Sequence, residues 1–146
     1  MFVGNLTSKE KMDKVKIDKD IRVLTIKAET FPGGVMAAHK KIHKLFPVQS
    51  ERRFFGISWM GKNNEIVYYA AAEELYPNEA EKYSCETFTI LKGDYCGKYL
   101  KDWCVTPGLV GDTFRELLQD PELDPNGYCL EIYHNENDME CLVKLK

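Results

Sequence analysis

In the stretch GYCLEIYHNENDME, Gly127 to Glu140, the apolar residues Leu130 and Ile132 alternate with Cys129, Glu131 and Tyr133. A period of two is the signature of a strand, so a thiol, a carboxylate and a phenol share one face of it. A carboxylate in that company can attract a cation. Withdrawn from water, it can instead protonate a leaving group or activate a water molecule. Cys129 could serve as a nucleophile only with a base beside it, and His134 falls on the opposite face of the strand. In HKKIH, His39 and His43 lie one helical turn apart, which is metal-ligand spacing, but lysine stands where a zinc-protease helix has glutamate and no third ligand is apparent. The reading is a partly buried His39, an exposed His43 and no metal site. The glycine pairs lack phosphate-loop spacing, so no nucleotide and no other cofactor is expected.

The elements that must position these residues come in two similar series. IRVLTIKAET alternates as a half-buried strand, and FPGGVMAAHKKIHKLFP places Val35, Ala38, His39, Ile42, Leu45 and Phe46 on one helical stripe that Pro47 ends. FFGISWM, the turn GKNN and EIVYYAAAEE form a hairpin, Asn63 and Asn64 tolerating the positive φ of its turn. After a polar connection at about 74 to 85, ETFTIL and CGKYLKDW are expected to make a second hairpin across KGDY. The helix of TPGLVGDTFRELLQD follows, with Thr106 as its cap, Pro107 in its first turn and Val110, Phe114, Leu117 and Leu118 as its apolar stripe. The opening stretch and DMECLVKLK form the last hairpin.

Both halves therefore read strand, helix, strand, strand. PGGV (Pro32 to Val35) aligns with PGLV (Pro107 to Val110); Trp59 then follows its proline by 27 residues and Tyr133 follows its own by 26. This makes Trp59 and Tyr133 equivalent and sets Ile57 where the second copy has Glu131, so one acid breaks the repeat. The fold class that follows is α+β: two pseudo-symmetric modules forming a mainly antiparallel sheet, helices on one face and a ligand groove on the other. The domain reading is an N-terminal arm at 1–19 and a ligand-binding domain at 20–146, with repeats at about 21–73 and 86–145. Residues alternating away from the helices would line the groove. These are Cys129, Glu131 and Tyr133, with Trp59 and Tyr69 from the first hairpin; Tyr99 and Trp103, from the stripe Tyr95, Gly97, Tyr99, Lys101, Trp103, would add a wall. Tyr69 is preferred to Tyr68 because it shares a face with Val67.

With the twofold order, FTILKGDY (Phe88 to Tyr95) and LEIYHNEND (Leu130 to Asp138), the sequence resembles the GyrI-like family over about residues 20 to 146. That family includes the effector-binding domains of AraC-type and MerR-type bacterial multidrug regulators. The resemblance implies a cleft for amphipathic, often cationic or aromatic compounds, centred on the acid of the EIY motif, here Glu131. Some standalone members of the family are thought to open strained cyclopropane-containing compounds hydrolytically, which would give Glu131 and Tyr133 catalytic roles. The residues before 20 offer no paired amphipathic helices, so the chain is expected to act as a standalone binding domain, without direct nucleic-acid contact. A third function class is a module that inhibits a larger enzyme by surface contact.

The bulk composition sets bounds on partners. The 146 residues carry a net charge of −3, too weak a field to hold a polyanion. No apolar run approaches the ~20 residues of a membrane span, and the five cysteines include no CxxC pair, as expected of reduced thiols packed as small core residues in a cytoplasmic protein. The lysine-rich start SKEKMDKVKIDKD mixes five lysines with four acids and reads as a solvated arm rather than a membrane patch.

Overall fold

Alternating β-branched and aromatic segments form eight strands in the computed structural model, which describes residues 12–47 and 51–146. The strands are β1 (Asp13–Ile17), β2 (Ile21–Lys27), β3 (Phe54–Met60), β4 (Ile66–Glu73), β5 (Glu86–Ile90), β6 (Gly93–Leu100), β7 (Cys129–Tyr133) and β8 (Met139–Lys144). Helices α1 (Val35–Leu45), α2 (Glu79–Tyr83) and α3 (Leu109–Leu117) complete the α+β fold. The described residues divide into two compact units, one within 19–92, the other of residues 12–18 with 93–146.

In the 19–92 unit the strands run β3-β4-β2-β5, all antiparallel. Helix α1 covers one face: its His39 Nε2 lies 2.7 Å from the Tyr68 hydroxyl, and the His43 ring packs 4.2 Å from that of Phe54. Ala38, Ile42 and Phe46 fill the interface. Burial, then the neighbouring His43, lowers the His39 pKa to about 4. The connection after β4 is closed by an ion pair, Arg52 to Glu79, with two hydrogen bonds of 2.9 and 3.0 Å and both side chains less than a tenth exposed. Glu79 also accepts from the Leu75 and Tyr76 amides, and the Arg52 guanidinium lies 4.3 Å over the Phe46 ring.

The other unit runs β1-β6-β8-β7, again antiparallel. Leu117 of α3 packs with Cys96, Leu100, Met139, Cys141 and Val143, and Leu109, Val110 and Phe114 join the edge of that cluster.

Each unit keeps the expected strand-helix-strand-strand module, β2-α1-β3-β4 or β6-α3-β7-β8, and adds an outer strand: β5, which the sequence reading placed in the other half, and β1, which it did not foresee as a strand. The segment read as an arm supplies β1, whose Val15 sits opposite Tyr95, while residues 1–11 lie outside the described residues. β5 and β6 do not form a hairpin: β5 pairs with β2, and Gly93, at φ 136, turns the chain away. Strand length and alternation identify a strand without naming its partner. The polar connection holds the short α2. Thr106 does not cap α3; Gly108 occupies that position at φ 78, where a side chain would be strained, and the Thr106 carbonyl accepts from the Leu109 amide. Asn64, at φ 62, takes the positive-φ place in the β3–β4 turn as expected.

Candidate functional site

The acid sits on β7 opposite Cys141, in a cross-strand row that continues to Lys98 on β6. Tyr133, two residues on along the same face, donates its hydroxyl to Glu131 Oε1 at 2.6 Å. Trp103, in a single 3₁₀ turn after β6, meets Tyr133 edge to face with centroids 6.1 Å apart. The buried Trp103 indole N–H has no hydrogen-bond partner among the described residues. Cys129, Glu131 and Tyr133 are all half-buried. Cys141 is fully buried, and its thiol is held far above the ordinary range by burial first and by the charge of Glu131 second. The cluster thus offers an oriented carboxylate, a phenol already committed to it, an indole donor that no described residue uses and one ammonium group, on Lys98, two strands away.

The register places this cluster on a different face from the one expected. Met139, Cys141 and Val143 stand directly opposite Tyr133, Glu131 and Cys129 across the β7–β8 pair and so share their face; they are residues α3 packs on, so Glu131 lies on the helix-covered side of its sheet. The reason is a one-residue slip in the repeat alignment. Met60 pairs with Ile66 and Tyr133 with Met139, each pair enclosing five residues, so Tyr133 corresponds to Met60, Ile132 to Trp59 and Glu131 to Ser58. A slip of one inverts every face assignment along a strand. The acid remains the symmetry breaker, with serine as its counterpart in place of Ile57.

The expected aromatic residues separate accordingly. Trp59 and Tyr69 come together, 5.4 Å between centroids, on the side of the 19–92 sheet away from α1, and Phe88 stacks on Trp59 at 5.9 Å. Tyr68 is buried under α1, so the choice of Tyr69 agrees with the register. These rings, with Thr25, Ile57, Glu86 and Thr87, line a hollow of about 200 Å³. Trp103 joins Tyr133 as expected. Tyr99 does not: it pairs with Glu140 on the other face of its sheet from Glu131, stacks on His134 at 5.2 Å and donates to Asp138 at 2.9 Å. It fastens the β7–β8 turn. Phe88 and Glu86 were missed because ETFTIL was assigned to the other half of the chain. His43, read as exposed, is half-buried. No group of three or more candidate metal ligands occurs among the described residues, and no helix among them is long and apolar enough to cross a membrane.

No family model matches the chain and no curated protein matches it. Solved structures do. SAV2435, in a structure with bound tetraphenylphosphonium, superposes with a TM-score of 0.67 at 10% identity, over 93% of this chain and 94% of that one. An integron cassette protein from the mobile metagenome of Vibrio cholerae gives 0.62 at 13% identity over 94% and 97%, and the EcmrR C-terminal domain 0.62 at 12% over 92% and 96%. Identities this low establish the architecture alone, and that architecture is the GyrI-like fold the motifs resemble.

Proposed function

We propose that the chain binds amphipathic, aromatic cations, with Glu131 as the group that selects positive charge and Tyr133, Trp103 and Cys129 as its immediate surroundings. The observation that carries this reading is the 2.6 Å hydrogen bond from Tyr133 to Glu131, which orients a half-buried carboxylate beside a phenol ring that itself meets Trp103 edge to face. Such a carboxylate attracts a cation at 4 Å by about 4 kcal/mol before desolvation at an effective dielectric of 20, and an aromatic face adds ~0.5–2. The structural likeness to SAV2435, seen with tetraphenylphosphonium, supports the ligand class.

The test compares tetraphenylphosphonium with neutral triphenylphosphine oxide by calorimetric titration of the wild type and Glu131→Gln. The substitution should weaken the cation about tenfold, equivalent to about 1.4 kcal/mol, and leave the neutral compound within about twofold. Equal losses for both would remove the electrostatic role.

The same phenol–carboxylate pair also suits proton transfer, which keeps hydrolysis of strained rings as a second reading. More than one equivalent of ring-opened product per chain from wild type, and none from Glu131→Gln, would replace binding by catalysis.

A further inference from the structure

We propose that the hollow in the 19–92 unit is a second ligand site, specific for a compact alkylammonium cation and independent of Glu131. Three aromatic side chains, Trp59, Tyr69 and Phe88, line it, their rings within 26° and 20° of parallel along the stack. Ring faces attract ammonium groups whose hydrogens are replaced by methyls, because such ions are weakly hydrated and lose little on leaving water. Glu86, exposed and without a salt-bridge partner among the described residues, supplies the counter-charge on the same lining.

The floor is built rather than incidental. Ile57 is fully buried and Thr25 is 5% exposed, its hydroxyl donating at 3.2 Å to the Glu86 carbonyl, which ties the acid's backbone to β2. Register supports the set: Thr25 faces Glu86 across β2–β5, and Ile57 faces Tyr69 across β3–β4.

Volume decides the size of the occupant. About 200 Å³ is below the roughly 300 Å³ at which drug-sized pockets begin, so a tetraphenyl ion is too large and a tetramethylammonium headgroup fits. Charge decides its strength. Lys27 is exposed and falls on the same sheet face, opposite Tyr69, and offsets part of the attraction of Glu86, so binding should be weak and salt-sensitive.

The experiment uses the full chain carrying Trp103→Phe, so that emission reports Trp59 alone, titrated with tetramethylammonium chloride at constant ionic strength. Neutral tert-butanol, of similar shape, is the control. A saturable change with the ammonium ion and none with the alcohol is expected. In the same background, Glu86→Gln should weaken binding about three- to tenfold, and Glu131→Gln should leave it unchanged. Phe88→Leu, which keeps the site apolar, should weaken it as well. A linear response without saturation, an equal response to tert-butanol, or a loss caused by Glu131→Gln but not Glu86→Gln would overturn the proposal. Tetraphenylphosphonium binding that depends on Glu131 can stand or fall separately.

Discussion

Lys98 sets a quantitative check on the acid at the centre of the β7 cluster. It shares a row with Cys141 and Glu131, two strand spacings or roughly 10 Å from the acid's backbone. A cation bound at Glu131 would be repelled by Lys98 by about 0.4 kcal/mol in water and about 1.7 at a dielectric of 20. Lys98→Met should therefore tighten tetraphenylphosphonium binding about two- to twentyfold, less at high salt, as read by the same titration. A weaker complex would mean that the lysine stem contributes contact rather than repulsion. His39 gives a pH prediction. Its folded pKa of about 4 lies below the ordinary 6.5, so the unfolded chain binds the extra proton first as pH falls. Stability from this group is fully present above about 6.5 and is lost progressively down to about 4. Denaturant titrations across that window should show the slope in wild type and a flatter curve in His39→Gln. Sequence periodicity placed His39 on the buried stripe. It could not supply Tyr68, which lies 29 residues further on and meets the histidine only after β4 pairs.

Among the elements, the Arg52–Glu79 pair and the outer strand β1 bear most on integrity. The two hydrogen bonds from Arg52 hold the Glu79 pKa to about 2, against an ordinary 4.5, so its stabilisation is present above 4.5 and is lost as pH falls toward 2. Glu79→Ala strands a buried guanidinium and should cost about 3–5 kcal/mol in urea unfolding. A loss within experimental error would show that Arg52 finds other partners. Val15→Pro removes the capacity of β1 to donate at that position and should raise hydrogen exchange in β6, its partner, while β2 and β5 keep their protection. Most elements were legible in the sequence, because β-branched alternation and the two helical stripes are local patterns. The partners of β1 and β5 were not, since pairing depends on edges that form only when distant segments meet. The face of Glu131 was misjudged for a related reason: a repeat anchored at prolines 75 residues apart drifts from hairpins whose equivalent residues are 73 apart.

For the whole molecule, no disulfide joins the five cysteines, all of them described residues, with Cys104 exposed and Cys96 and Cys141 buried. Burial pushes Cys96 up to about 11, and Cys141 higher still. A thiol-specific chromophore at pH 8 should modify Cys104 first, reach Cys85 and Cys129 slowly, and count five only in denaturant. Fast modification of Cys141 would contradict its packing against α3. By itself the sequence determined the α+β class, the repeated module and the acid and aromatic residues on which the proposal rests, because these follow from local periodicity and composition. Only the tertiary structure decided that Tyr133 bonds to Glu131 on the helix-covered face, and that Trp59 keeps company with Phe88 and Glu86. Strand register sets which side chains share a face, and register is fixed by contacts between residues far apart in the chain.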